Sequence, residues 1–349
     1  MTDSMSDDRR LTQPREPVPR LEDEGGDPGF VSTGRLPEPV AVQELVTAAY
    51  GSFRTNDEGV NSGVYPALAQ AHREAFGVCV VGTNGAVHAA GDVETPFTIM
   101  SVAKPFVFAL VCQAIGPEEA RRRLGVNATG LPFNAVEAVE QGPDGRTNPM
   151  VNPGAIATTS LVAGKTGNEK WRALSEGLSR FAGRPLELDE ETYASASATN
   201  HRNRELAALL ERRGRLYFDA AQALDLYTRQ SCLAVTAKDL AVMGATLADG
   251  GVNPLTGERV VDQALCHHVL AVMMTAGLYE TSGDWLYDVG LPGKSGISGG
   301  IVTIAPGKGG LGTFAPPLDA AGNSVKGQLA ARFLSRRLGL DLFASRPET

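Results

Sequence analysis

The chain is short of the residues that several common functions need. Its 349 residues include four cysteines, Cys79, Cys112, Cys232 and Cys266, without CxxC spacing and with apolar neighbours. That pattern excludes a disulfide scaffold or zinc ribbon and points to reduced core thiols in a cytoplasmic protein. Five histidines form no HxxxH or HExxH pattern, and the pair His267 and His268 is expected to flank a helix. No metal site and no cofactor are therefore expected. Positive charge is not in excess: the net charge is -8, which argues against a nucleic-acid partner. No apolar run reaches the length of a membrane span. No apolar segment follows the basic residues near the start, so no secretory signal is expected.

What is present is an ordinary globular composition, 42% hydrophobic and 21% charged. The length suits one large domain or two intimately packed ones. Residues 1–38 are rich in Asp, Glu, Arg, Pro and Gly and lack apolar periodicity, so a disordered tail is expected there. Residues 39–340 read as a single domain. Its sheet parts are placed at about 39–115 and 285–340 and its helical part at about 116–284.

VAVQELVTAAY reads as an amphipathic helix and YPALAQAHREA as a second, started by Pro66. Two β-rich runs flank Asn84-Gly85, the strongest short hairpin signal. The middle is mostly helical, with Thr236 an expected N-cap and Gly250-Gly251 a stop. GISGGIVTIAPGKGGLGTFAPP reads as two strands, and Asn323 to Leu338 as a closing helix. Strands from both ends around a helical middle imply an α+β fold with one antiparallel sheet. The helix that starts near Ser101 is expected to lie between the sheet and the helical block.

That helix is the centre of interest. In FTIMSVAKPFVFALVCQAI, Ser101 and Lys104 stand three residues apart where a helix should begin, with Thr98 a plausible N-cap. Positions i and i+3 share a face. A serine hydroxyl needs an adjacent base to become a nucleophile. Lysine can be that base only when neutral, and burial lowers its pKa. Taken alone, Ser-x-x-Lys is as easily a helix start with a surface lysine. The later Lys294-Ser295-Gly296 adds the second element, because Ser-x-x-Lys early and a Lys-Ser-Gly strand late is the pairing of serine β-lactamases and penicillin-binding proteins.

Several longer motifs stand in order: PFTIMSVAKPF, NPMVNPGAI, HRN at His201 to Asn203, ATLADGGVNPLTGERV, GLYETSGDW, VGLPGKSGISGGI and PPLDAAGNSVKG. With these the chain resembles the serine-dependent glutaminases, over roughly Glu38 to Arg336. The resemblance implies a β-lactamase-like fold and hydrolysis of glutamine to glutamate and ammonia. It implies Ser101 as nucleophile, Lys104 as base and Tyr279 as proton relay to the departing ammonia. It implies an oxyanion hole from the N–H groups of Ser101 and Ile297. Asn152, Asn203 and Tyr227 would bind the amino-acid part of the substrate, and Lys294 would support the electrostatics. It also implies a homodimer or homotetramer acting on a small molecule, with no membrane partner. From the residues alone, Asn152 could equally make an Asx turn before Pro153, Asn203 a helix cap, and Tyr227 and Tyr279 half-buried core.

Three positions depart from the family pattern. Ala196 stands where the family has a glutamate that binds the substrate's α-ammonium. Val64 stands where it has a tyrosine, with Tyr65 one place later expected to face elsewhere. Met100 replaces a glutamine before the nucleophile. Glu191 is a candidate substitute for the missing acid. The expected function is glutamine hydrolysis. The alternatives are a serine amidohydrolase for another small amide, or a ligand-binding relative without catalysis.

Overall fold

Both ends of the chain meet in one sheet, and its register explains where the site lies. The computed structural model describes residues 34–345. The expected tail, 1–38, therefore falls almost wholly outside the described residues.

Helix α1 (Pro39–Phe53) and the short α2 (Pro66–Ala69) each begin on a proline, whose fixed φ suits a first turn. The expected second helix stops after four residues. Strands β1 (Gly77–Gly82) and β2 (Val87–Gly91) form the hairpin predicted at Asn84-Gly85. The two-residue β3 (Phe97–Thr98) and a 3-10 turn at Met100–Val102 lead into α3 (Ala103–Ile115). The helical block continues with α4 (Pro117–Leu124), α5 (Glu137–Gln141), α6 (Asn152–Ser160) and α7 (Gly167–Ala182). Then come α8 (Glu190–Thr199), which the sequence pattern did not suggest, α9 (His201–Arg212) and α10 (Ala220–Ser231). Strand β4 (Ala234–Val235) pairs with β3 and precedes α11 (Ala237–Ala248) and α12 (Gln263–Ala276). Thr236 caps α11 as expected, in a full capping box with Asp239. His267 and His268 lie inside α12 rather than beside it, their rings 3.8 Å apart. The chain closes with α13 (Ser282–Val289), β5 (Gly293–Ser295), β6 (Gly300–Ala305), β7 (Gly309–Phe314) and α14 (Val325–Arg337). The two strands read in GISGGIVTIAPGKGGLGTFAPP are β6 and β7, and β5 is the Lys-Ser-Gly strand just before them.

The sheet order is β2-β1-β7-β6-β5, antiparallel throughout. Side chains alternate between its faces. Val78, Val80, Ile301 and Leu311 join Val42, Val46, Ala330 and Leu334 of α1 and α14 in one core. Cys79 and Val81 pack on Ala241, Val242 and Ala245 of α11. Val302 and Ile304 join the large core of the helical block. The four cysteines are free and buried.

One expectation is corrected here. The helix seated on the inner face of the sheet is α11, not α3. A Cβ at Gly312 would stand 2.0 Å from the Ala237 carbonyl oxygen, and one at Gly310 would stand 2.3 Å from that of Ala241. Side chains on β7 are absent there, so the α11 backbone lies directly against the strand. Helix α3 is apolar nearly all round and sits among α4, α6, α7 and α12, while its 3-10 entry reaches β5 and β6. Gly312→Ala is expected to force α11 off the sheet, costing about 3 kcal/mol and roughly 10 °C of melting temperature. A thermal melt unchanged from wild type would show that the contact is not needed.

Candidate active site

The nucleophile's position follows from a short run of backbone. Ile99 N–H donates to the Leu233 carbonyl at 2.9 Å, extending the β3–β4 pairing by one residue. Met100 then turns to φ 46, a left-handed conformation that costs a non-glycine residue about 1–3 kcal/mol. The 3-10 turn begins there. Ser101 sits in that turn and Lys104 at the second position of α3, three residues on and so on the same side of the helix start. Thr98 is not the N-cap. It lies in β3, its carbonyl accepts the Ser298 hydroxyl at 2.6 Å, and α3 begins after Val102 with no side-chain cap. The second motif arrives at the same point. A Cβ at Gly296 would stand 3.1 Å from the Ile99 carbonyl oxygen and 3.4 Å from Met100 Cβ. A glycine there lets the Lys294-Ser295-Gly296 edge pack closely against the turn that carries Ser101, where a Cβ would push its neighbours by a few tenths of an ångström.

Both lysines are buried. Lys104 is 2% exposed and donates to Asn152 Oδ1 at 2.7 Å and to the Met150 carbonyl at 3.3 Å. Burial pushes its pKa down to about 7. Lys294, on edge strand β5, is fully buried and donates to the carbonyls of Gly277 at 2.8 Å and Ser295 at 2.9 Å. Burial, with Lys104 nearby, holds its pKa well below the usual lysine value. Its Nζ stands 4.4 Å from the centre of the Tyr279 ring. Tyr279 is the second strained residue of the site, at φ 57. Its phenol donates to the Ser295 carbonyl at 3.3 Å and lies near Ser101, which counters part of the rise that burial imposes on its pKa. Burial raises its pKa to about 12.

A chain of amides extends from Lys104. Asn152 Nδ2 donates to Asn203 Oδ1 at 2.9 Å, and Asn203 Nδ2 donates to Asn200 Oδ1 at 2.6 Å. Asn200 Nδ2 donates to Thr228 Oγ1 at 3.1 Å. The Tyr227 hydroxyl joins at Asn152 Oδ1, 3.2 Å away. Asn152 opens α6 rather than lying in a loop, and its side chain makes neither a cap nor an Asx turn. Asn203 sits inside α9 and caps nothing; its side chain is spent on the network.

Ser101, Asn152, Asn203, Tyr227 and Ile297 line one cleft of about 100 Å³, and Lys104 and Tyr279 adjoin it through Asn152 and Ser101. Larger clefts exist, such as one of about 920 Å³ beside α4 and α5, but it holds none of these residues. Among the turn and loop backbone bonds of the described residues, the N–H groups of Ser101 and Ile297 make none. Both are thus free for an incoming oxygen. Ala196 lines the cleft, as the altered pattern required. Tyr65 does not face elsewhere: it lines the cleft and its hydroxyl reaches Asn200 Oδ1 at 3.5 Å. Glu191 is exposed and not part of the lining, so it does not replace the missing acid. Sequence reasoning missed Phe133, Asn134, Asn200, Arg202 and Thr228. The motif HRN marked its neighbourhood, but Asn200 carried no signal of its own.

A hydroxyl at a helix start, beside a buried amine that is neutral near pH 7 and a phenol that stays protonated, is the equipment of an acyl-transferring hydrolase. The glutaminase family model matches residues 59–343. The chain is 67% identical over 320 residues to Glutaminase 2 of Yersinia pestis, covering 92% of this chain and 94% of that one. It is 45% identical over 309 residues to a glutaminase of Colwellia psychrerythraea, covering 88% and 99%. Among solved structures, a probable glutaminase superposes with a TM-score of 0.87 at 41% identity, covering 88% of this chain and all (100%) of that one. A Bacillus glutaminase superposes at 0.78 with 30% identity, covering 86% and 99%. The chain belongs to the glutaminase family, and it has the α+β fold that its motifs implied.

Proposed function

We propose that this glutaminase hydrolyses the side-chain amide of L-glutamine through an acyl-enzyme on Ser101, with Lys104 as base. The observation that carries the reading is the buried Lys104 amine, brought to about pKa 7 next to the serine turn. Magnitudes choose between the possible bases. At pH 7 to 8 about half or more of Lys104 is neutral, whereas Tyr279 at about 12 is ionised in roughly one molecule in 10⁴ or fewer. Neutral Lys104 takes the Ser101 proton as Oγ bonds to the amide carbon. The carbonyl oxygen becomes an oxyanion beside the N–H groups of Ser101 and Ile297. The C–N bond then breaks as the proton held by Lys104 is relayed through the Tyr279 phenol to the departing nitrogen, and ammonia leaves. Water attacks the ester with neutral Lys104 taking its proton and returning it to Ser101 Oγ, and glutamate leaves. Asn152, Asn203 and Tyr227 hold the amino-acid end. A related structure, Mglu in its glutamate form, superposes with a TM-score of 0.83 at 36% identity over 88% of this chain and 70% of that one. Its glutamate supports a product-sized ligand for this cleft.

Residues 39–340 would act as one catalytic unit, in the cytoplasm, as a homodimer or homotetramer. The test is a rapid quench with glutamine followed by peptide mass spectrometry. A glutamyl adduct on the Ser101 peptide is expected, and its consistent absence during turnover would defeat the reading. Tyr279→Phe is expected to lower kcat about 10²- to 10³-fold while KM changes little, because the phenol acts on the leaving group. An equal loss through KM alone would assign Tyr279 to binding instead.

A further inference from the structure

The cleft is asymmetric in charge. Among the residues that line it, Arg202 brings a guanidinium, and no aspartate or glutamate is present. Tyr65, Tyr227 and Cys232 also line it, and burial keeps all three protonated. The surrounding acids are committed elsewhere. Glu205 pairs with Arg202 at 3.1 Å and is exposed. Asp189 caps α8 by accepting from Thr192 N–H at 2.8 Å, and Asp225 accepts from the Tyr193 hydroxyl at 2.6 Å. One wall is apolar: Met100, Ala196 and Cys232 form a buried cluster with Leu68, and Tyr65 and Ile297 pack on it.

A carboxylate entering this cleft meets the Arg202 guanidinium, which also holds Glu205 and the Asn134 carbonyl, and the second N–H of each amide in the chain. An ammonium entering with it gives up hydration and finds no counter-charge, only neutral oxygens already engaged in the amide chain. The ammonium of glutamine is therefore a burden on binding rather than a handle. We propose that this cleft also hydrolyses monoamides of linear dicarboxylic acids that lack an α-ammonium, at least as efficiently as glutamine. The step is unchanged: Oγ bonds to the amide carbon, ammonia departs with a proton, and water releases the dicarboxylate. The proposal rests on the acyl-enzyme reading above, applied to a different substrate class.

The experiment compares ammonia release from glutamine and from 5-amino-5-oxopentanoate, its des-amino counterpart, with the full wild-type chain. A kcat/KM ratio of one or more in favour of the des-amino amide is expected, and a ratio below one overturns the proposal. Ala196→Glu is expected to swing that ratio toward glutamine by about tenfold or more, since a carboxylate then faces the ammonium. A folded variant with an unchanged ratio also overturns it. Should that variant fail to fold, calorimetric titration of the Ser101→Ala chain with glutarate and glutamate reads the same preference without chemistry. Glutarate binding at least as tightly supports the proposal, and tighter glutamate refutes it. If neither amide is turned over by wild type, the acyl-enzyme reading fails, while the titration still decides what the cleft recognises.

Discussion

Ser101→Ala is expected to reduce kcat for glutamine by about 10⁴- to 10⁶-fold, to the residue left by binding and oxyanion stabilisation alone. The size follows from what the hydroxyl does. It supplies the bond that divides amide hydrolysis into two easier steps, and no other hydroxyl takes its place. Tyr279 is held protonated, Ser295 lies fully buried with its Oγ unpartnered, and Ser298 spends its hydroxyl on the Thr98 carbonyl. Product binding is expected to survive, because the chain from Asn152 through Asn203 to Asn200 does not pass through Ser101. The melting temperature should also hold, since Ser101 is only half-buried and its Oγ anchors no backbone. A variant that keeps more than a tenth of wild-type ammonia release would place the nucleophile elsewhere.

The sequence made this site legible in parts for identifiable physical reasons. Local signals worked where one residue type decides the backbone: Asn84-Gly85 for the hairpin, Thr236 for the start of α11, Pro66 for the first turn of α2. The order of the motifs already associates Ser101, Lys104 and Lys294. Three features stayed hidden. The left-handed turn at Met100 is invisible, because methionine has no preference for positive φ and the turn is imposed by β3 pairing with β4 and by the close approach of Gly296. Thr98 looked like a cap because a threonine before an apolar run usually is one, and tertiary pairing overrode that preference. The role of Asn200 depends on residues that are distant along the chain: Tyr65 135 positions away and Thr228 28 away. Tyr65 itself shows the limit of strand-like alternation as a guide. It precedes a four-residue helix, so shifting by one place did not turn its side chain away from the cleft.

The acid limb of kcat/KM is expected to lie near pH 7 and to belong to Lys104. The base works only when unprotonated, so activity should rise with pH through about 7 and level off above it, falling about tenfold per unit below. Lys104→Arg keeps the positive charge at every accessible pH and is expected to be inactive throughout. Stability gives an independent reading of the same pKa. In the unfolded chain Lys104 returns to about 10.5, so between about 7 and 10.5 the unfolded state binds the extra proton. Its contribution therefore makes the fold more stable as pH rises through that window. Replacing it by methionine, close in length and without the burial cost, is expected to raise stability at pH 7 by a few kcal/mol while abolishing turnover. The amine has no carboxylate partner to lose; its partners are Asn152, which keeps the Tyr227 donor, and one backbone carbonyl. Opposite signs for stability and activity in one substitution would identify a residue kept for chemistry against the preference of the fold. A Lys104→Met chain that melts at or below wild type, or an acid limb that stays near pH 4, would mean that Lys104 is charged in the native state and that the proton leaves Ser101 by another route.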